Sequence, residues 1–271
     1  CAMTAINPAI SDFIRANGLN TLDGAFAFEG GIDLIKPGLG NRRRTRIDLP
    51  DAPSLFLKRY YPMPLGKRLK TLLSPRKWRC EAMIEHNNIL AVTAAGVETM
   101  HALAAGVKGN LFTGRRSYTL VDAVAGETLE TATAALLPDR GNELTAALAA
   151  LARTLHHAGF VHRDFYLCHI FADITPDEIR LSLIDLARVI RPLPARGFRW
   201  RVKDLAQLYY SSPQAWIDTQ WPAFLSAYLD APVEGAMVAK WNCAIESKAA
   251  RIARHDKNRY AKLVAQRDAN S

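Results

Sequence analysis

The sequence predicts an α+β chain in two lobes, with an antiparallel sheet and one long helix first, then a mainly helical lobe. Three observations carry that prediction. Short runs of alternating apolar and polar residues recur between Ile32 and Val124. A single helical stretch interrupts them and closes at Gly96, a residue type favoured just beyond a helix end. After Ala125-Gly126 the apolar spacing changes to three and four residues, as at Leu144, Leu148, Leu151 and Leu155. The lobes are drawn as 1–124 and 125–271. A chain of 271 residues, 49% hydrophobic and 23% charged, is long enough for a substantial core and has the balance of a soluble globular protein.

Taken in order, residues 1–24 read as a helix or an arm. Ile32–Lys36 and Arg44–Leu49 alternate around the turn Pro37-Gly38-Leu39-Gly40-Asn41, a hairpin with glycines at its tip. Pro50–Pro53 makes a second turn, and Ser54–Tyr61 the third strand. Pro62–Pro75 is a basic loop containing Lys67, Arg68 and Lys70. A helix follows from about Arg76 to Ala95, with Trp78, Ile84 and Ala91 near one face and Glu81 and Glu85 one turn apart. Val97–Ala104 reads as a strand, 106–110 as a turn and Ser117–Val124 as a fifth strand. In the second half, helices are expected at about 142–158, 202–210, 221–229 and 233–263, with 189–199 as a loop rich in Arg and Pro.

The formal net charge of +9 favours anionic partners such as phosphorylated substrates or anionic lipid. Nucleic acid is disfavoured, because no basic–aromatic interleaving or known binding motif occurs. The four cysteines, Cys1, Cys80, Cys168 and Cys243, form no C-x-x-C pair, so neither a zinc site nor a disulfide partner is expected. No run has the length of a membrane-spanning helix, and no signal peptide is read ahead of Cys1. The expectation is a soluble cytoplasmic protein.

The densest chemistry lies in Gly159-Phe160-Val161-His162-Arg163-Asp164-Phe165-Tyr166-Leu167-Cys168-His169, framed by apolar runs. Leu183-Ile184-Asp185-Leu186 then carries a second acidic residue at a strand end. Phosphoryl transfer needs a cation on the nucleotide phosphates, an anion to hold that cation, a carboxylate facing the attacking hydroxyl and another carrying the metal. Lys58, Glu81, Asp164 and Asp185 stand in the order and on the elements those roles require. Each alone has an ordinary reading as a solvated charge or a turn former; the ordered set does not.

With Lys36–Gly40, Phe56–Tyr60, Gly159–Tyr166, Leu183–Arg188 and Arg199-Trp200-Arg201-Val202-Lys203-Asp204-Leu205, the chain resembles the protein-kinase-like fold, and more closely the bacterial lipopolysaccharide kinases. Those enzymes phosphorylate Kdo or heptose of the lipopolysaccharide inner core. The resemblance implies ATP and Mg2+ as cofactors and a core glycolipid as substrate. It implies that Lys58 contacts the nucleotide phosphates, paired by Glu81, beneath a lid carrying Gly38 and Gly40. Asp164 would orient the sugar hydroxyl and accept its proton. Asp185 would hold magnesium, with His169 as a metal contact or a structural bond to the loop. Asp204 would anchor the catalytic loop. Leu-Ala follows Asp185 where protein kinases have Phe-Gly, and no Ala-Pro-Glu segment follows, which argues against a phosphorylated activation loop. The basic helix near the C-terminus has two readings, a solvated face or peripheral contact with the anionic inner face of the cytoplasmic membrane. A kinase for another small acceptor or a protein, and a non-catalytic nucleotide-binding pseudokinase, are the rival readings.

Overall fold

The structure, a computed structural model, describes residues 7–35, 40–64, 66, 80–110 and 114–268, the segment 262–268 as backbone only. The chain divides into two compact units: Cys1–Ala125 with Ile184–Ala187, and Gly126–Leu183 with Arg188–Ser271.

The first unit holds a five-stranded antiparallel sheet of β1 (Ile32–Asp33), β2 (Arg42–Leu49), β3 (Ala52–Tyr60), β4 (Ala102–Lys108) and β5 (Arg116–Asp122), in the order β1-β2-β3-β5-β4. Alternation along β3 buries Leu55, Leu57 and Arg59 on one face and leaves Phe56, Lys58 and Tyr60 on the other. The Leu55/Leu57 face is covered by two short helices, α1 (Pro8–Ala16) and α2 (Leu22–Ala27). Their Ile10, Ile14 and Ala25, with Leu19 between them, share one core with Ile47, Leu55, Leu57, Tyr118 and Leu120. Asn7 starts α1 by accepting the Ala9 N–H at 2.9 Å, just ahead of a proline in the first turn. The region expected as a helix or an arm is thus two capped helices sealing one sheet face.

The helix α3 (Glu81–Ala94) packs against β4 and β5. Its buried positions are Ala82, Glu85, Ile89 and Val92, not the face through Ile84 and Ala91 that the sequence suggests; Trp78 lies outside the described residues. Gly96, at φ 83°, ends this helix, and the Val97 N–H turns back onto the Val92 carbonyl at 3.3 Å. That cap uses Val97, so the next strand starts at Ala102 and not at Val97. Gly106 is inside β4, not in a turn, because the Tyr118 ring fills the space a Cβ would take, 2.8 Å away.

The second unit pairs β6 (Glu127–Thr128), β7 (Ile170–Ile174) and β8 (Ile179–Leu183) in a small antiparallel sheet beside four helices. These are α4 (Leu129–His157), α5 (Gly197–Ser211), α6 (Gln214–Leu229) and α7 (Ala236–Asp268). Helix α4 breaks at Arg140 (φ −126°), two residues after Pro138, so only its second segment matches the helix expected from residue 142. That segment buries Leu144, Leu148, Leu151 and Leu155 and packs against α6, where buried Trp216 donates to the Thr145 hydroxyl at 3.1 Å. Helix α5 packs against α7 and begins at Gly197. Arg199, expected in a loop, and Trp200-Arg201, ahead of the helix start expected at about 202, lie within its first two turns. Among the described residues no disulfide joins Cys80, Cys168 or Cys243, and no helix is long and apolar enough to cross a membrane.

Candidate active site

In the first unit, β3 aims Lys58 at α3. The partner it meets is Glu85, at 2.5 Å, with both side chains largely withdrawn from water (12% and 1% exposed). Glu81, expected in that role, instead bonds Arg42 of β2 through both carboxylate oxygens, at 3.0 and 2.8 Å, nearer the surface. The reason is helical geometry. Glu85 shares a face with Ala82, Ile89 and Val92, at spacings of three and four, whereas Glu81 sits in the first turn on a different face. An ammonium has three donors; among the described residues Lys58 spends one on Glu85, which leaves the capacity a phosphate would use.

One helical turn on, the Asn88 side chain donates to the Leu186 carbonyl at 2.7 Å, tying α3 to the segment that carries Asp185. Asp185 itself adopts φ 58°. Left-handed backbone is uncommon outside glycine, least so for Asp and Asn. Gly40, at φ 62°, has open space where a Cβ would stand, so the turn conformation and not crowding requires glycine there. Gly38 lies outside the described residues, as do Lys67, Arg68 and Lys70.

In the second unit the loop 162–167 is held from one side by α5. The carboxylate of Asp204, fully buried, accepts the backbone N–H of His162 at 2.6 Å and of Arg163 at 2.8 Å. Buried His156, on α4, approaches the same carboxylate with Nε2 at 3.3 Å, and its Nδ1 lies 2.8 Å from the Tyr228 hydroxyl on α6. The Arg163 carbonyl accepts from Lys203 Nζ at 2.5 Å and from Gln207 Nε2 at 3.0 Å, and the Gln207 oxygen takes the Phe165 N–H at 3.1 Å. One turn further, the Ser211 hydroxyl takes the Leu167 N–H at 3.0 Å. Arg163 is thereby fixed at φ 72°, a strained conformation that persists only where its surroundings over-determine it. Burial pushes the Lys203 ammonium below the ordinary lysine pKa, although adjacent Asp204 pulls the other way.

The loop so clamped presents Asp164, whose two carboxylate oxygens each stand 2.7 Å from one guanidinium nitrogen of Arg188. His169 closes the loop: its Nδ1 is 2.8 Å from the Asp164 carbonyl. A carbonyl only accepts, so Nδ1 carries the proton, and in a neutral ring the lone pair is then on Nε2. Metal-binding histidines are oriented by the same kind of bond. Among the described residues no three His, Cys, Asp or Glu side chains are arranged to hold a metal unaided. Magnesium does not require that, since it is commonly held by one or two carboxylates together with phosphate oxygens and water.

Asn88, His156, Gln207 and Ser211 carry no motif, and Arg188 lies inside the Leu183–Arg188 motif with no role assigned to it. Glu85 carried a usable signal, an acidic residue on an otherwise apolar helix face.

A sequence model of the lipopolysaccharide kinase (Kdo/WaaP) family matches residues 40–228, a span that contains every residue of the two clusters above. The lipopolysaccharide core heptose(I) kinase WaaP of Escherichia coli (strain K12) is 35% identical over 185 residues, covering 64% of this chain and 69% of that protein. The WaaP of Pseudomonas aeruginosa is 31% identical over 206 residues, covering 72% and 75%. A solved structure of WaaP in complex with acyl carrier protein superimposes with a TM-score of 0.60 at 25% identity, over 88% of this chain and 95% of that one. The sheet-bound Lys58–Glu85 pair and the clamped Asp164 loop are therefore parts of a kinase-like fold, and the chain belongs to the lipopolysaccharide kinase (Kdo/WaaP) family of phosphotransferases.

Proposed function

We propose that the chain transfers the γ-phosphate of ATP to a hydroxyl of an inner-core sugar of lipopolysaccharide, Kdo or heptose. The observation that carries this reading is the Asp164 loop, which α5 holds through five backbone groups of residues 162–167 in a chain of this family. In this reading the Asp164 carboxylate accepts the hydrogen bond of the sugar hydroxyl, orients it and takes up its proton as the new P–O bond forms. Lys58, kept in place by Glu85, binds nucleotide phosphate. Magnesium, when bound, would neutralise charge developing on the transferred group. Asp185 is the carboxylate suited to hold it, and His169 offers Nε2 as a further donor. Gly40, with φ 62° and open space where a Cβ would stand, would let the backbone there approach the phosphates closely.

The exposed face of α7 with Arg254, Lys257 and Arg259 suits peripheral contact with anionic lipid, where a glycolipid acceptor would be presented.

The deciding experiment is transfer of labelled phosphate from ATP to purified core oligosaccharides. Wild type is expected to label an acceptor, and Asp164→Asn to do so about 10²–10⁴-fold more slowly, the usual contribution of a positioned base. Equal rates would remove Asp164 from the chemistry.

A further inference from the structure

Between α5 and α7 the second unit forms an open cavity of about 620 Å³, within the range of small-molecule sites. Six cationic side chains line it: Arg163, Arg188, Arg199, Lys203, Lys248 and Arg251. No Asp or Glu is among the lining residues, although α7 carries Glu246 and Asp256 elsewhere on its surface. Trp200 gives the wall an aromatic surface, with the Arg163 guanidinium 5.2 Å and the Lys203 ammonium 5.7 Å from its ring centre. At this side Arg163 is anchored through its backbone N–H and carbonyl, the latter by the Lys203 ammonium. Like charges gathered around one partly desolvated space repel each other and are relieved by an anion.

One lining residue also reaches the chemistry. Arg188 both borders the cavity and holds the two oxygens of Asp164, at 2.7 Å each. An arginine nitrogen shared by both oxygens takes up to two of the roughly four lone-pair positions of that carboxylate and so competes with a sugar hydroxyl for it. The Arg188 side chain is 54% exposed against 14% for Asp164, so water and a competing anion reach the guanidinium side of the pair.

We propose that this cavity binds an oxyanion carried by the acceptor, a sugar carboxylate or a phosphate next to the hydroxyl that is phosphorylated. We further infer that this oxyanion takes Arg188 away from Asp164. The base is then released only when an acidic acceptor is in place. A neutral sugar or water leaves Arg188 on the carboxylate, and the site discriminates by charge before it discriminates by shape. The inference rests on the reading of Asp164 as the base.

The test uses the full chain and three acceptors: a core oligosaccharide, the same acceptor with carboxylates reduced to alcohols, and the same acceptor enzymatically dephosphorylated. Lys248→Ala with Arg251→Ala, both on α7 and outside the catalytic loop, is expected to raise the KM for the native acceptor about tenfold or more with the KM for ATP unchanged. The neutralised acceptor that lacks the relevant anion should show no such rise, which identifies carboxylate or phosphate as its source. Arg188→Gln should bring kcat on that neutralised acceptor closer to kcat on the native one. An unchanged acceptor KM, or an equal rise on all three acceptors, overturns the cavity; an unchanged kcat ratio in Arg188→Gln overturns the release of Asp164.

Binding is read separately, without turnover. In magnesium-free buffer, inorganic phosphate should raise the thermal midpoint of wild type more than chloride at equal ionic strength, and the double variant should lose the difference. If wild type labels no acceptor while this phosphate effect persists and depends on Lys248 and Arg251, the kinase reading fails and the anion site stands. No phosphate effect in wild type overturns the anion site whatever the transfer assay shows.

Discussion

A carboxylate as withdrawn from water as Glu85 is stable only beside a cation, and a buried lysine needs a carboxylate in return. Breaking such a pair from one side strands the other charge, an effect of about 3–5 kcal/mol. Glu85→Ala is therefore expected to lower stability by that order in urea unfolding, while Glu81→Ala, whose Arg42 partner is half-exposed, stays within about 1 kcal/mol of wild type. In the transfer assay Glu85→Gln should raise the KM for ATP, and Glu81→Gln should leave it near wild type. Lys203 gives a pH-dependent counterpart. Its folded-state pKa lies below the ordinary lysine value, so near and above that folded value the unfolded chain binds more protons and stability rises with pH toward about 10.5. The stability difference between wild type and Lys203→Met, measured in urea at pH 7 and again near pH 10, should shift in favour of wild type at the higher pH. At this scale the sequence was half legible. Lys58 and Asp164 stand out by type and order, but choosing between two glutamates four residues apart requires knowing which helix face is buried, and Trp78 and Ile84 suggested the wrong one.

At the scale of elements, α5 acts as a plate whose residues 203, 204, 207 and 211 face one loop, a spacing of one, three and four that keeps them on one side of a helix. Asp204 carries most of that function because one carboxylate serves two backbone N–H groups. In Asp204→Asn one oxygen becomes an NH₂, and a buried N–H of the loop loses its acceptor, about 1–3 kcal/mol. The expected outcome is a lower thermal midpoint and a lower kcat with the KM for ATP unchanged. A variant with wild-type kcat would show that the loop holds its form without this anchor. The Arg-Trp-Arg-x-Lys-Asp-Leu run marks the segment in sequence, but placing it at a helix start, and not partly in a loop, depended on contact with α7. Gly106 shows the same limit: its role is set by the Tyr118 ring on the neighbouring strand, which no local pattern reports.

For the whole molecule, the change from period-two to helical spacing near residue 125 separated a sheet-rich part from a helix-rich part without any structure. What spacing could not show is that Ile184–Ala187 groups with the first unit, since the bond that marks it joins residues 98 apart in sequence. The net charge of +9 was legible at once and bears on partners. Sedimentation with phosphatidylglycerol vesicles is expected to carry the protein down at low salt and release it as ionic strength rises and the Debye length falls below about 8 Å. Arg254→Glu with Lys257→Glu should weaken that binding, and vesicles of neutral phosphatidylcholine should not bind. Equal sedimentation with both lipids would separate the basic helix from any electrostatic role at a membrane.

The bond from Asn88 to the Leu186 carbonyl has a consequence for biogenesis. The first unit recruits residues translated 98 positions after its own helix, so it emerges from the ribosome with one acceptor missing. At elongation rates of about 5–20 residues/s that gap lasts roughly 5–20 s, a window in which the nascent sheet and α3 must persist without the Asp185 segment. The part of the chain that carries Lys58 is thus completed by its own distant downstream sequence, and assembly of the two acidic motifs is ordered in time by translation itself.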